Sequence, residues 1–407
     1  MKVAVIGAGA SGLVSAVYAA KEGNKVVLLE RNNSLGKKLL ITGNGRCNYF
    51  NSDMNLKHYY SEEIDILSKI ITKENQKEIL SFFESIGITP KIKNGYYYPI
   101  SNKAVSIRDA LEIECKMLGI EIITDFKVEN IIKKDKFMIS SQNTKIEADK
   151  VVLALGSKAY PKTGSDGIGY DIALSFGHSV NKVLPSLTGL CTNENYLNLW
   201  KGARTEVKLS LYENDNLIKI EEGEAQFTDY GISGICAFNL SSLITKGLYL
   251  NKKEEVCINF VPYINPKSID DVVTYLNRRS QTLIKRTVFE LLEGILDYKL
   301  INVIIKKSKI DPDKYFSDLS KKEVYHLASN LYSFKINIAS TKSFENAQVC
   351  MGGVKLSEIN PLTMESIIVK NLYITGELLD VNGDCGGYNL AFAFISGMLA
   401  GKGTKEW

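Results

Sequence analysis

The first thirty residues constrain the fold more than any other stretch. A short apolar run, Val3 to Ile6, meets Gly7-Ala8-Gly9-Ala10-Ser11-Gly12. Leu13, Val17 and Ala20 follow at helical spacing, Gly23 and Asn24 end that segment, and Val26 to Leu29 make a second apolar run closing on Glu30. A continuous apolar run is the pattern of a strand buried on both faces of a parallel sheet. The order strand, G-x-G-x-x-G, helix, strand, acid predicts a βαβ dinucleotide-binding unit. Gly7 permits the tight turn, Gly9 lets backbone approach a pyrophosphate, and Gly12 lets the helix pack close to the sheet. The N–H groups of the first helical turn, with Ala10 and Ser11, and the positive end of the helix dipole favour phosphate there. Glu30 is placed to accept hydrogen bonds from a ribose diol and would repel a 2′-phosphate, which disfavours NADP at this position.

The glycine motif alone does not separate FAD from NAD. Two Rossmann units would give a second strand–glycine–helix signature, and none is present; "GSDGIGYDIA" from Gly164 has the wrong glycine order and no strand before it. Three features favour FAD. Arg31 to Asn48 is long, basic and glycine-rich where a simple βαβ unit has a short connection. Asp125 to Gly156 reads as a strand meander ending "KVVLALGS". "LYITGELL" reads as a strand ending on Gly376 and Glu377. That late strand is expected to return to the first sheet and bring Gly376 and Glu377 to the ribityl or phosphate part of FAD. Gly386 and Gly387 open an almost wholly apolar helix, whose N-terminus is expected to face the pyrimidine edge of the flavin and stabilise its reduced, anionic form. A side chain at position 387 is expected to stand where backbone approaches the isoalloxazine.

A length of 407 residues suits two or three domains, and 45% hydrophobic with 24% charged residues is ordinary for a globular protein. A net charge of +4 on this size does not point to nucleic acid. Seven scattered cysteines without a C-x-x-C pair argue against a disulfide framework and for a cytoplasmic setting. His58, His178 and His326 lie too far apart for a zinc spacing, so no metal is expected. No apolar run reaches the length of a membrane span.

The stretches "GAGASGL", "GKKLLITGNGRCN", "LALGSKAYPKTGSDGIGYDIALSFGHSV", "FTDYGISG", "MGGVKLSEINPLTMES" and "LYITGELLDVNGDCGGYNLAFAFISGMLAG" extend over nearly the whole chain. In them the sequence resembles the bacterial BaiN/YhiN-like flavoproteins, a family that includes aminoacetone-oxidase-type enzymes and NAD(P)/FAD-dependent oxidoreductases. The resemblance implies an α/β fold: a Rossmann-like FAD-binding domain of the glutathione-reductase type, with an inserted β-rich domain and a small helical domain. The corresponding boundaries are 1–190 and 358–407 for the FAD domain, 191–265 and 332–357 for the β-rich part, and 266–331 for the helical part. It adds candidate cofactor contacts at Arg31, Lys38, Gly45, Arg46, Cys47 and Asn48, at Val128 and Gly156, and at Asp384, Tyr388, Asn389 and Leu390. It also implies a small organic substrate, with NAD(P)H or oxygen as redox partner. No residue stands out as a catalytic acid or base. Where the family often has Gln-Trp after "GGYNL", this chain has Ala391-Phe392.

The chain's own patterning agrees with an insertion. Alternation of β type begins after Pro185 in "TEVKLSLYE" and "EVCINFVPY", helical periodicity dominates from Ser268 to about Leu331, and alternation returns at "FKINIAST". Arg46 and Asn48 suit either an anion or the carbonyls of their own glycine loop. Cys47 and Cys385 read as small buried fillers, since neither has a resolving cysteine nearby. Tyr96, Tyr97 and Tyr98 read either as the edge of a substrate pocket or as an alternating strand. The segment Pro266 to Leu331 holds 12 Lys and Arg against 9 Asp and Glu. Its Arg278, Arg279, Lys285 and Arg286 read as a solvated face, and would hold RNA only if the FAD served an RNA-modifying protein. A flavin-bound protein without turnover is the third alternative.

Overall fold

The computed structural model describes residues 1–142 and 144–405. They divide into two compact units, Met1–Pro185 with Ala347–Trp407, and Ser186–Asn346.

The first unit opens with β1 (Lys2–Ile6), α1 (Ala10–Lys21) and β2 (Lys25–Leu29). A short strand β3 (Phe50–Asn51), the helix α2 (Lys73–Ser85) and the hairpin β4 (Pro90–Lys93) with β5 (Tyr96–Pro99) follow. β6 (Glu121–Ile123) and β7 (Lys150–Leu153) lead to the second unit, and β8 (Leu372–Ile374) and α3 (Tyr388–Gly403) come after it. The main sheet has the order β8-β7-β1-β2-β6 and every pair is parallel. Val3 to Ile6 and Val151 to Leu153 are buried, as central strands covered on both faces require. The late strand does return to the first sheet: Leu153 pairs with Ile374. The expected meander between β6 and β7 is a three-stranded antiparallel sheet of Asn130–Lys133, Phe137–Ser140 and Lys145–Ala148.

The apolar C-terminal segment is one helix, α3, buried continuously from Ala391 to Gly401. A helix apolar all round is stable only when covered all round. Part of the cover is α1. A Cβ on Gly397 would strike the Ser11 carbonyl, and one on Gly401 would stand 2.5 Å from the Tyr18 Cβ and 2.7 Å from the Ser15 carbonyl oxygen. Two glycines four apart thus let the two backbones approach, and Phe394 fills the other side against Phe83 of α2 at 4.8 Å between ring centroids.

The second unit carries a seven-stranded antiparallel sheet whose long hairpin is Arg204–Glu213 with Asn216–Phe227. Three of its helices start on reciprocal capping boxes, Ser268 with Asp271, Thr287 with Glu290 and Ser320 with Glu323. Leu276, Leu291 and Leu331 from these helices, with Leu300 of the helix Tyr298–Ser308, share one buried cluster with Trp200, Phe227 and Phe334 from the sheet side. The units therefore divide at 185/186 and 346/347, not at 190/191 and 357/358. The stretch 266–331 shares the core of the sheet beside it. Val349–Val354 pairs with Val180–Ser186 and lies within the first unit.

Candidate cofactor and active site

The glycine turn closes as its spacing requires. The Gly7 N–H donates to the Leu29 carbonyl at 2.8 Å, tying the end of β1 to the tip of β2. A Cβ on Gly12 would strike the Gly7 carbonyl, which is the close helix–sheet contact expected of the third glycine. Gly9 is the opposite case: a Cβ there would meet no atom within 4 Å. It is the N-cap of α1, no side chain caps that end, and the first turn contains no acid. The backbone N–H groups of Ala10 and Ser11 thus stand at an open, uncapped, electropositive helix end beside empty space.

Glu30 is buried. One of its oxygens accepts the Ala8 N–H at 2.8 Å, and the other accepts the Asn32 N–H at 2.8 Å and the Asn32 side-chain amide at 2.6 Å. A carboxylate has about four acceptor positions, so room for a ribose hydroxyl remains while the same group closes the glycine turn. Arg31 donates to the Gly164 carbonyl at 2.9 Å and pairs with Asp166 at 2.6 Å. Val128 is buried just beyond the Phe126 N–H that donates to the Glu30 carbonyl.

Gly376 lies directly against α1, where a Cβ would come within 2.7 Å of Ser11 Oγ. The glycine turn and the late strand thus meet at the N-terminus of α1. Glu377 is committed to protein partners: its carboxylate accepts from Lys38 Nζ at 2.6 Å and from Ser157 Oγ, which follows Gly156, at 2.9 Å. Lys38 is accordingly an ion-pair partner of Glu377 in this arrangement.

Gly387 is the N-cap of α3 at φ +95°, again with no side-chain cap. The expectation that a side chain at 387 would intrude on a flavin is corrected here. A Cβ would stand 2.6 Å from the Phe50 carbonyl oxygen, so β3 is what demands the glycine. Asn51 donates its amide to the Gly386 carbonyl at 2.8 Å and fixes the same turn. Asn389 reaches back to Gly383, accepting its N–H and donating to its carbonyl, both at 2.8 Å. Tyr388 is buried and Leu390 half-buried.

In the basic connection, the Gly45 carbonyl accepts the Ala104 N–H. Arg46 is exposed, donates to the Gly43 carbonyl at 3.0 Å and lies over the Tyr98 ring at 5.2 Å. The Asn48 amide, with its nitrogen turned inward, donates to the carbonyls of Phe50 at 3.0 Å and Tyr97 at 3.2 Å. Cys47 is fully buried, and burial pushes its thiol up to about 12. It fills space and is not poised as a thiolate nucleophile.

Sequence reasoning passed over His58. Its Nδ1 lies 3.2 Å from the buried Asp384 carboxylate, its Nε2 3.1 Å from the exposed Asp53 carboxylate, and its ring stacks on Tyr388 at 4.7 Å. Tyr60 donates to the second Asp384 oxygen at 3.0 Å. A titratable ring, a buried acid and a phenol therefore meet at the N-terminal mouth of α3. No local pattern announces the pair, since 326 positions separate its members. His178, by contrast, is buried between Glu358 and Ser366 at 2.9 Å each, as a structural histidine would be.

An open cradle over Gly9, an uncapped α1, an acid at the tip of β2 and a C-terminal strand in the same parallel sheet are what FAD needs from a Rossmann domain. Fold and site are those of a dinucleotide-binding Rossmann protein, and its family and relatives make it an FAD-dependent oxidoreductase. The chain belongs to the HI0933-like family: the family described as "HI0933-like protein Rossmann domain" matches residues 1–403. The resemblance drawn from the motifs is thereby borne out. The chain is 37% identical over 409 residues to a 3-dehydro-bile acid delta(4,6)-reductase of Clostridium scindens, covering 100% of this chain and 99% of that one. It is 28% identical to a ribosomal RNA dihydrouridine synthase of Haemophilus influenzae, covering 96% and 95%. Among solved structures, a 3-ketosteroid delta1-dehydrogenase from Sterolibacterium denitrificans aligns over 99% of both chains with a TM-score of 0.52 at 11% identity, a likeness of fold. No helix among the described residues is long and apolar enough to cross a membrane.

Proposed function

We propose that this protein saturates a carbon–carbon double bond conjugated to a carbonyl in a small organic molecule, using one non-covalently bound FAD with NAD(P)H as donor. The full-length 37% identity to a delta(4,6)-reductase of a 3-dehydro compound carries the reading. Bound FAD would supply hydride transfer. The chain's own residues supply the rest. The first N–H groups of α1 and the space over Gly9 receive the pyrophosphate, and Glu30 receives the adenosine ribose. The N-terminus of α3 holds its positive dipole end toward developing negative charge. Saturation needs a proton as well as a hydride, and His58, held by Asp384 and stacked on Tyr388, is suited to deliver it from Nε2 once the exposed Asp53 moves aside.

The test is anaerobic. Purified holoprotein is mixed with NADH or NADPH and flavin bleaching recorded; a 3-keto-4-ene steroid is then added. Return of the oxidised flavin spectrum, with a product carrying two more hydrogens, is the expected result. Flavin that the nicotinamide reduces but no conjugated enone reoxidises would overturn the reading.

A second reading is favoured by the names of two relatives, ribosomal RNA dihydrouridine synthases of Haemophilus influenzae and Escherichia coli, each matching 96% of this chain. The double bond of uracil saturated in dihydrouridine is also conjugated to a carbonyl, so the same chemistry serves with a different carrier. Loss of a dihydrouridine from ribosomal RNA on deleting the gene would select it.

A further inference from the structure

The stretches 31–52 and 85–108 each contain four Lys and Arg and no Asp or Glu, in a chain with 50 basic and 46 acidic residues. The fold brings these two acid-free stretches together. β3 pairs with β5, Phe50 opposite Tyr97 and Asn51 opposite Tyr96, and the Ala104 N–H donates to the Gly45 carbonyl at 2.8 Å. Some of the basic residues are neutralised locally: Arg31 by Asp166, Lys38 by Glu377, and Arg108 by Asp109. Arg46, Lys91, Lys93 and Lys103 are exposed and form no ion pair among the described residues.

The hairpin arranges these charges among aromatic rings. Lys91 lies opposite Tyr98 and Lys93 opposite Tyr96, so all four side chains share one face of β4 and β5. Tyr97 points to the other face and packs on Tyr49 and Phe50. Arg46 adds its guanidinium over Tyr98. The Tyr96 ring borders the start of α3, where a Cβ on Gly386 would be 3.2 Å from Tyr96 Cε1. β4 is an edge strand, so nothing in its own sheet covers its outer side.

We propose that this face of the β4–β5 hairpin, with Arg46 and Lys103, is a docking surface for single-stranded RNA. Unneutralised cations track a phosphodiester backbone, and tyrosines between them offer stacking faces for bases. The face leads to the double-glycine turn at the mouth of α3, so a strand laid along it runs toward Gly386. This rests on the ribosomal-RNA reading and adds the surface that would hold the strand; binding is measured without turnover, so docking can fail while dihydrouridine is still lost on deleting the gene, and the reverse.

The test is fluorescence anisotropy of fluorescein-labelled oligouridine titrated with holoprotein over a range of salt. Binding at low salt, weakening linearly on a logarithmic plot, is expected. Lys91→Glu/Lys93→Glu should weaken it at least tenfold and flatten the salt slope by about 0.7 per lysine. Tyr98→Leu should weaken it by about tenfold at every salt concentration without changing the slope. Thermal melts and flavin content report folding, and Lys91→Gln/Lys93→Gln replaces the glutamate pair if that variant fails to fold. Three results would overturn the proposal: no RNA binding by the parent, equal binding by the lysine variants, or preference for heparin or phosphatidylglycerol vesicles with no effect of Tyr98→Leu. In the last two cases the lysines only guard an exposed edge strand or form a general polyanion surface.

Discussion

The ammonium of Lys38 and the carboxylate of Glu377 meet at 2.6 Å across 339 positions of sequence, with Ser157 donating to the same carboxylate oxygen. Both side chains are about one-fifth exposed, so the pair is less screened than a surface bridge. A double-mutant cycle with Lys38→Met and Glu377→Gln should give a coupling of about 0.5–1.5 kcal/mol in urea unfolding. Additive effects would mean that the two groups are neighbours without being partners.

Gly9 and Gly387 should respond to the same change in opposite ways. Gly9 has ordinary backbone angles and open space where a Cβ would go. Gly9→Ala should leave apoprotein stability within about 0.5 kcal/mol of the parent while weakening FAD at least tenfold. Gly387→Ala combines a positive φ with a Cβ 2.6 Å from the Phe50 carbonyl oxygen, and should cost the apoprotein about 1–3 kcal/mol or more. Melting curves of the apo forms beside FAD titrations separate the two; a stable Gly387→Ala apoprotein would show that β3 yields.

Glu30→Ala should damage both binding and folding. Removing the carboxylate strips the acceptor from the Ala8 N–H and from Asn32. A loss of about 2–3 kcal/mol in apoprotein stability is expected from those groups, with about 1–3 kcal/mol less FAD affinity from the lost ribose contact. Unfolding of the apo form and flavin fluorescence quenching read the two parts separately. Full apoprotein stability with weaker FAD would assign the whole effect to the ribose.

In the second unit, Glu254 is buried, its two oxygens have no hydrogen-bond partner among the described residues, and it sits opposite Glu213 in the sheet. Burial first, and then the Glu213 charge, push its carboxyl from the ordinary 4.5 up to about 7. A raised carboxyl stabilises the fold in its protonated form, so that stability is complete below about 4.5 and is lost as pH rises through about 7. Glu254→Gln should therefore raise the melting temperature at pH 8 by about 2–4 °C, the equivalent of ~1 kcal/mol, and make little difference at pH 4. Equal shifts at both pH values would remove Glu254 as the cause.

The N-terminal βαβ unit was legible because each part is local: an apolar run, three glycines, a helical period and an acid within thirty residues. The return of β8 was legible from its glycine ending together with the likeness to flavoproteins of the glutathione-reductase type. What the sequence hid was set by distant pairs. Glu377 could not be seen to bind Lys38, nor Asp384 to hold His58, because each partner is more than 300 positions away. Gly387 was rightly read as obligatory and wrongly explained, since the obstacle is Phe50 backbone that no local pattern places there. Placement of charge was hidden in the same way: a net +4 averages over two acid-free stretches that the β3–β5 pairing and the Ala104–Gly45 hydrogen bond bring side by side.

The sheet that begins the chain is also the one that ends it. β7 waits for β8 on its outer flank, and α1 waits for Gly397 and Gly401 of α3. During synthesis these partners leave the ribosome more than 360 residues after the glycine turn they complete. The contiguous unit 186–346 has its own core and can close while the segment before it is still unfinished, the reverse of the usual N-terminal-first order. Throughout that interval the α1 face that α3 will cover is bare. Every nascent chain of this protein thus passes through a long stage in which its cofactor domain is half-made, and any product truncated before Leu372 remains there, an apolar surface open to chaperones and proteases.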